Sequence, residues 1–547
     1  MARVILSPLP YAAGLTGALA LTLAAASGCN PGDVTVDDEA GESAEEDDDE
    51  GTDTGEEQEQ IGGPALGIDI IEVEANQGTA VAIGKDGEWV GAEGRNAYMI
   101  RDRDTLIRVN HTVAEGWIPR ELVGVLHIYG PDGVELEPRT RRFMVEADSD
   151  PRDLNSQFYF QVLGHEALPG TKYKLELFEG SLEPETGSLA AGINVTPPEP
   201  ELIGYETTPL EMKVMLVPIE YTYPDPPTLV EFNEADLQLV EDDLLQTNPL
   251  QKVTLLIHEP YTYSNHITNL GQLLSPMAVL RQNEAAEPNV YYHALVDVRS
   301  PSVNMVAGIA QLPGDSKNAA SQRVAATVWF KANPDALPGG SSGTIVHEIG
   351  HNQGLSHIYC PNAATPAAGP DPSYPHEAGK IGVYGFGIRN FRLYTPTGAH
   401  DYMTYCGNAW VSDWTWNKTY QRIETLTSWD YEGAAGTSSA ANEPLLVGTL
   451  YPDGSEEWWA MLGPLPTPEQ RGEQRIVMLG EGGQTLDTQY AAVTTLSDGE
   501  TLMLFAPLTV PFDELEGLAR IDAFGDVREI AGDAIVLGQP LDILEPR

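Results

Sequence analysis

Residues 341–357 read SSGTIVHEIGHNQGLSH, and within them His347, Glu348, His351, Gly354 and His357 fall into the spacing H-E-x-x-H-x-x-G-x-x-H. Ile345, Val346 and Ile349 give this stretch the apolar face of a helix, with Ser341 or Ser342 available as its N-cap. Helical residues four apart share a face, so His347 and His351 point the same way and can grip one metal ion, with Glu348 beside it. Gly354 accepts a positive φ, which lets the chain break from the helix and swing His357 back as a third donor. Three neutral imidazoles suit zinc and leave a fourth position open, as a catalytic ion requires. A water at that position is acidified toward neutral pH, and Glu348 can take its proton and pass it on as general base and then acid. The chemistry expected is hydrolysis of an amide. Fixing five positions is a demanding condition, met by chance in on the order of one in ten thousand chains of this size.

Downstream, residues 400–406 read HDYMTYC. The extended histidine motif resembles that of the metzincin metallopeptidases, and Met403 sits where their Met-turn would be expected beneath the metal. The wording GHNQGLSH at 350–357, YPHEAGKIGVYGFG at 374–387, and the run from DYMTYC at 401–406 to WVSDWTW at 410–416 more closely resemble bacterial peptidases of the M66 group. Those are exported zinc endopeptidases, the best known of which acts on mucin-like glycoproteins. The resemblance spans roughly residues 212–426. It implies one catalytic Zn2+ on His347, His351 and His357, and an edge strand, here within 306–310, that pairs with extended substrate, an ordinary inner strand being the other reading. Tyr405, two residues after Met403, has the offset of a metal-proximal tyrosine in some metzincins. Its hydroxyl could stabilise an oxyanion, a packed aromatic being the other reading.

The rest of the chain divides by composition. Residues 1–29 carry Arg3 and an apolar run too short for a membrane span, which reads as an export signal. Its end, Ala26-Ser27-Gly28-Cys29, is similar to a bacterial lipobox with Ala26 where leucine is usual. Cys29 is then the lipidated first residue of a surface or outer-membrane lipoprotein, and a plain secretory signal is the alternative. Residues 30–62 hold fifteen acidic side chains and no basic ones, the signature of an extended disordered tether. The whole chain has a formal charge of −52, and most of it lies beyond that segment. This argues against nucleic acid or an anionic membrane surface as partner, leaving a lipid anchor at Cys29 as the only membrane contact expected. The partner expected is a protein or glycoprotein substrate.

Residues 63–205 show short apolar runs between Gly, Pro and Asp turns, the pattern of an antiparallel β-sandwich. From 206 to 432 strands alternate with helices. Strands are expected at 212–219, 253–258 and 290–296, and helices at 232–246 and around 270–281, where Pro276 marks a break. That order predicts a central α/β peptidase domain with a mainly parallel twisted sheet. Residues 358–399 form a long loop expected to wall the cleft, with His376 and His400 outside the ligand set. Asp413 is available to cap a closing helix. Residues 433–547 return to short strands, a second β-rich flank in which Trp458 and Trp459 could stack on sugars or fill a core. In an oxidising compartment Cys360 and Cys406 are expected to pair, leaving no cysteine for a thiol-type latency switch. The competing reading is a surface adhesion lipoprotein in which the metal is merely structural, since much of the chain lies outside the catalytic region.

Overall fold

The computed structural model describes residues 61–333, 336–363, 366–431 and 443–540, with Leu544 and the two-residue strand Arg3–Val4. Apart from Arg3 and Val4, the export signal lies outside the described residues, as do Cys29 and almost all of the acidic tether. The described chain is mostly β-sheet with few helices.

The sheet that positions the site is built from β1 (Glu211–Tyr221), β2 (Lys252–Ile257), β3 (Val290–Val296), β4 (Gly308–Ala310) and β5 (Val324–Val328), in the order β2-β1-β3-β5-β4. All neighbours are parallel except β4, which runs antiparallel to β5 at the edge. Both faces of this sheet are covered, and the period of two in β1 shows how. Met212, Val214 and Leu216 enter the core shared with helices α1 (Glu234–Thr247), α3 (Gly339–Asn352) and α4 (Asp413–Ser428). Met215, Val217 and Ile219 enter a second core with α2 (Leu274–Asn283). A 3-10 turn, Leu270–Leu273, leads into α2, so Pro276 falls in the first helical turn, where no intrahelical N–H is needed.

The flanking β-rich regions are not separate beads. In the N-terminal region, antiparallel sheets of five and four strands cover residues 68–202. Ile68, Val73, Ile107 and Phe158 belong to the same buried cluster as Ile345 and Trp416. The guanidinium of Arg103, buried, donates to the carbonyls of Leu245, Asn248 and Leu250 and so caps the C-terminal end of α1. The C-terminal region is an eight-stranded sheet whose Leu445, Val447, Met461, Leu496 and Met503 complete the core around α2. Trp458 is 1% exposed and sits in that region's own core, so it offers no sugar platform. Among the described residues no helix is long and apolar enough to cross a membrane.

Candidate metal centre

Helix α3 begins at Gly339, at least three residues earlier than a serine cap would allow, and Pro338 at its N-cap makes no side-chain cap. The serines are used elsewhere. Ser341 Oγ donates to the Val328 carbonyl at 2.8 Å, fastening the helix start to β5, and Ser342 Oγ donates to Asp243 on α1 at 2.6 Å. Ile345, Val346 and Ile349 are buried as expected. The helix ends in a Schellman arrangement: Leu355 N–H reaches the Gly350 carbonyl, Gly354 N–H reaches that of His351, and Gly354 has φ +86°. A Cβ on Gly354 would meet only the movable end of the Arg422 side chain, so it is the conformation that asks for glycine here.

This reversal brings His357 back over the helix. His351 Nε2 lies 3.2 Å from His347 Nε2 and 3.2 Å from His357 Nε2. The opposite edge of each ring is committed. His347 Nδ1 donates to the Tyr402 carbonyl (2.8 Å), His351 Nδ1 to that of Leu355 (2.7 Å), and His357 Nδ1 to that of Ala368 (2.9 Å). A carbonyl only accepts, so each proton sits on Nδ1 and each Nε2 presents a lone pair. Burial reinforces this, holding His347 down to about 4 and His351 and His357 below the usual imidazole value. Three lone pairs facing one another at such distances repel unless a cation lies among them. The edge of a tetrahedron with zinc–nitrogen bonds of about 2.05 Å is roughly 3.3 Å, so the donor set fits zinc in spacing and in chemistry.

Glu348 is 4% exposed, and its carboxylate lies 3.3 Å from the Ser497 hydroxyl. Burial pushes it up to about 8, against the hydrogen bond from Ser497 and with help from the negative charge of Asp498. A divalent cation beside it pulls it down again. Tyr405 faces the same histidines, its ring centroid 4.7 Å from that of His357 and 5.7 Å from that of His347, and it remains 41% exposed. Desolvation, then the charges of Glu348 and Asp498, raise its phenol above the usual value, so it stays a neutral donor.

Met403 is fully buried directly under the helix. A Cβ on Gly350 would lie 2.5 Å from its sulfur. The turn carrying it is held by Asp401, a buried carboxylate that accepts from the Met403 and Ser412 N–H groups and from the Ser412 hydroxyl. Ser412, not Asp413, is the N-cap of α4, accepting from Thr415 N–H. Asp413 instead accepts from His376 at 2.7 Å. His400 bonds the Gly407 carbonyl and Lys380, so neither extra histidine joins the triad. Cys360 and Cys406 form a disulfide with Cα atoms 6.2 Å apart, tying the segment after His357 to the turn after Met403. The long loop bears on both the site and the N-terminal region. Its Ala368 carbonyl orients His357, and its Tyr384 and Phe386 backbone groups dock on Ala80 and Gly78 of the N-terminal region. Sequence reasoning passed over Asp401, Ala368 and Ser497; a carboxylate two residues before the turn methionine was the one visible signal.

The geometry defines a three-histidine site that could hold a metal ion, two of its donors on a helix that also carries a carboxylate. Residues 236–358 match the model of the metallopeptidase family M12B, reprolysin-like, and the match supports a zinc-dependent metallopeptidase in the middle of the chain. A comparison with curated proteins finds no match. Among solved structures, a Bacteroides uniformis β-glucuronidase 2 aligns at 11% identity over 42% of this chain, with a TM-score of 0.14. A calcium-binding mutant of that enzyme aligns at 10% identity over 86% of this chain and 61% of its own, again with a TM-score of 0.14. The chain spans only 23% of the first of these, and superpositions this poor carry no inference.

Proposed function

We propose that the chain is an exported zinc metalloendopeptidase in which His347, His351 and His357 hold one Zn2+, Glu348 is the general base and acid, and Tyr405 donates to the oxyanion. The observation that carries it is the convergence of three Nε2 lone pairs whose Nδ1 protons are all spent on backbone carbonyls. When bound, zinc supplies Lewis acidity toward water and the scissile carbonyl. Glu348 takes the proton of the attacking water and delivers it to the departing amine. Tyr405, half-exposed at the rim, offers its O–H where negative charge develops on the carbonyl oxygen. Met403 and Asp401 keep the Tyr402 carbonyl in place and through it the ring of His347.

The resemblance to the M66 group extends this reading to glycoprotein substrates outside the cell, and the lipobox-like Ala26-Ser27-Gly28-Cys29 extends it to a lipid-anchored surface form. The test is cleavage of casein and of a mucin-type glycoprotein by the full chain, abolished by a chelator and restored by zinc. One zinc per chain with no cleavage of either would leave the ion a purely structural role and refute the peptidase.

A further inference from the structure

Edge strand β4 has its outer side already occupied. Val328 N–H bonds the Ala307 carbonyl and Gln311 N–H bonds that of Val324, so residues 307, 309 and 311 face β5 while Gly308 and Ala310 turn their backbone groups outward. Both outward groups of Ala310 are taken by one residue of the C-terminal sheet. Ser497 N–H donates to the Ala310 carbonyl at 3.2 Å, and Ala310 N–H donates to Ser497 Oγ at 2.9 Å. The same hydroxyl reaches Glu348. Ser497 belongs to the tip of a hairpin between Thr485–Thr495 and Leu502–Pro507. Gly499, at φ +74°, rests so close to Ala368 that a Cβ there would lie 1.9 Å from the alanine's own. The tip therefore touches the substrate-pairing edge, the general base and the segment that orients His357. With it in place Glu348, His351 and His357 are 4%, 1% and 2% exposed. Its shape is set internally, since Asp498 accepts from the N–H groups of Glu500 and Thr501, and its root is anchored by buried Leu496.

We propose that the hairpin tip, residues 497–500, is a built-in occupant of the substrate cleft, an autoinhibitory contact that an extended peptide must displace to pair with β4 and reach Glu348. This rests on the metallopeptidase reading above. It supplies a latency device in a chain with no spare cysteine for one. The chemistry is a competition for the same backbone groups: Ser497 mimics one residue of a peptide strand added to the edge.

The test uses the full chain loaded with zinc. In one variant residues 497–500 are replaced by Asn-Gly, a two-residue turn that keeps the Leu496–Thr501 pairing and retracts the tip; a second is Ser497→Ala. If the tip leaves the cleft open a tenth of the time or less, retraction raises kcat/KM on casein and the affinity for a peptide hydroxamate by at least about 10-fold, with Ser497→Ala giving a smaller gain in the same direction. Zinc content stays at one per chain. A folded, zinc-loaded retraction variant that binds the hydroxamate no more tightly than the parent overturns the proposal, and one that binds it more weakly would make the tip part of the site. Tighter hydroxamate binding without cleavage by either protein would uphold the tip and sink the peptidase. Failure of both to bind zinc would overturn both readings.

Discussion

The closest backbone approach under the metal helix is at Gly350, and Gly350→Ala tests whether that contact holds the site. The added methyl would lie 2.5 Å from Met403 Sδ and 3.0 Å from Tyr402 Cε2, against ordinary contacts of about 3.5–4.0 Å. Met403 and Tyr402 are buried, so they cannot swing into solvent. Overpacking of this kind costs about 1–3 kcal/mol, and the better helix propensity of alanine returns about 1. The net expectation is a loss of up to about 2 kcal/mol in urea unfolding of the zinc-free chain, followed by tryptophan fluorescence. Pushing Tyr402 also moves the carbonyl that holds His347, so zinc affinity by chelator competition falls about 10-fold. Met403→Ala, which itself costs about 2–5 kcal/mol, removes the atom the new methyl strikes. In that background Gly350→Ala becomes neutral or slightly stabilising, a coupling of about 2 kcal/mol. An equal penalty in both backgrounds would show that the clash is not with Met403 and would refute this account of the turn.

Glu348→Gln keeps one zinc per chain by metal analysis but loses at least about 100-fold in kcat on casein, and full activity in that variant would remove Glu348 from proton transfer. Replacing Cys360 and Cys406 by serine opens a ring of sequence separation 46 and lowers stability by about 4 kcal/mol on the loop-closure scale, read from the urea midpoint. Burial of His293, whose Nε2 pairs with Thr327, holds it down to about 3 against 6.5 unfolded. The unfolded chain binds that proton first, so stability is intact above pH 6.5 and falls as the pH drops toward 3; His293→Gln should flatten that acid slope, and an unchanged slope would acquit His293. Chelating the metal should speed amide exchange in residues 355–368 and 402–406, which carry the carbonyls that hold the imidazoles, while leaving the core strand Glu211–Tyr221 unchanged; uniform acceleration would contradict a local role for the ion.

What the sequence made legible was whatever is written in local spacing. The fourfold offset of His347 and His351, the positive φ at Gly354 and the strand expected at 212–219 are each dictated by a few consecutive residues; the structure has the two Nε2 atoms 3.2 Å apart, Gly354 at φ +86° and a strand over Glu211–Tyr221. Helix caps were read less well, because serine has other uses: Ser341 and Ser342 stitch α3 to β5 and α1 in place of capping it. Trp458 had two readings at the level of composition, and only its burial decides between them. Partners far apart in the chain left no trace at all. Ser497 lies 149 residues from Glu348, and a serine in a Ser-Asp-Gly turn announces nothing beyond the turn.

The flanking sheets bear on how the peptidase region can be studied. Arg103, from the N-terminal region, supplies the donors for three carbonyls at the end of α1. Trp410 and Trp416 send their indole N–H groups to the Gly78 and Tyr98 carbonyls, and Tyr98 stacks on Tyr420 with centroids 4.0 Å apart. Cut away, that region would leave the end of α1 without its guanidinium donor and would expose the indoles of Trp410 and Trp416, now 3% and 0% exposed, to solvent. Removal of the C-terminal sheet would expose Met277 and Ala278 on α2, and would free Ala310 and Glu348 together. Residues 236–358 carry the recognisable motif but neither the turn at Met403 nor the carbonyl of Ala368. The smallest unit in which the three imidazoles are all held is therefore far longer than the segment that identifies them.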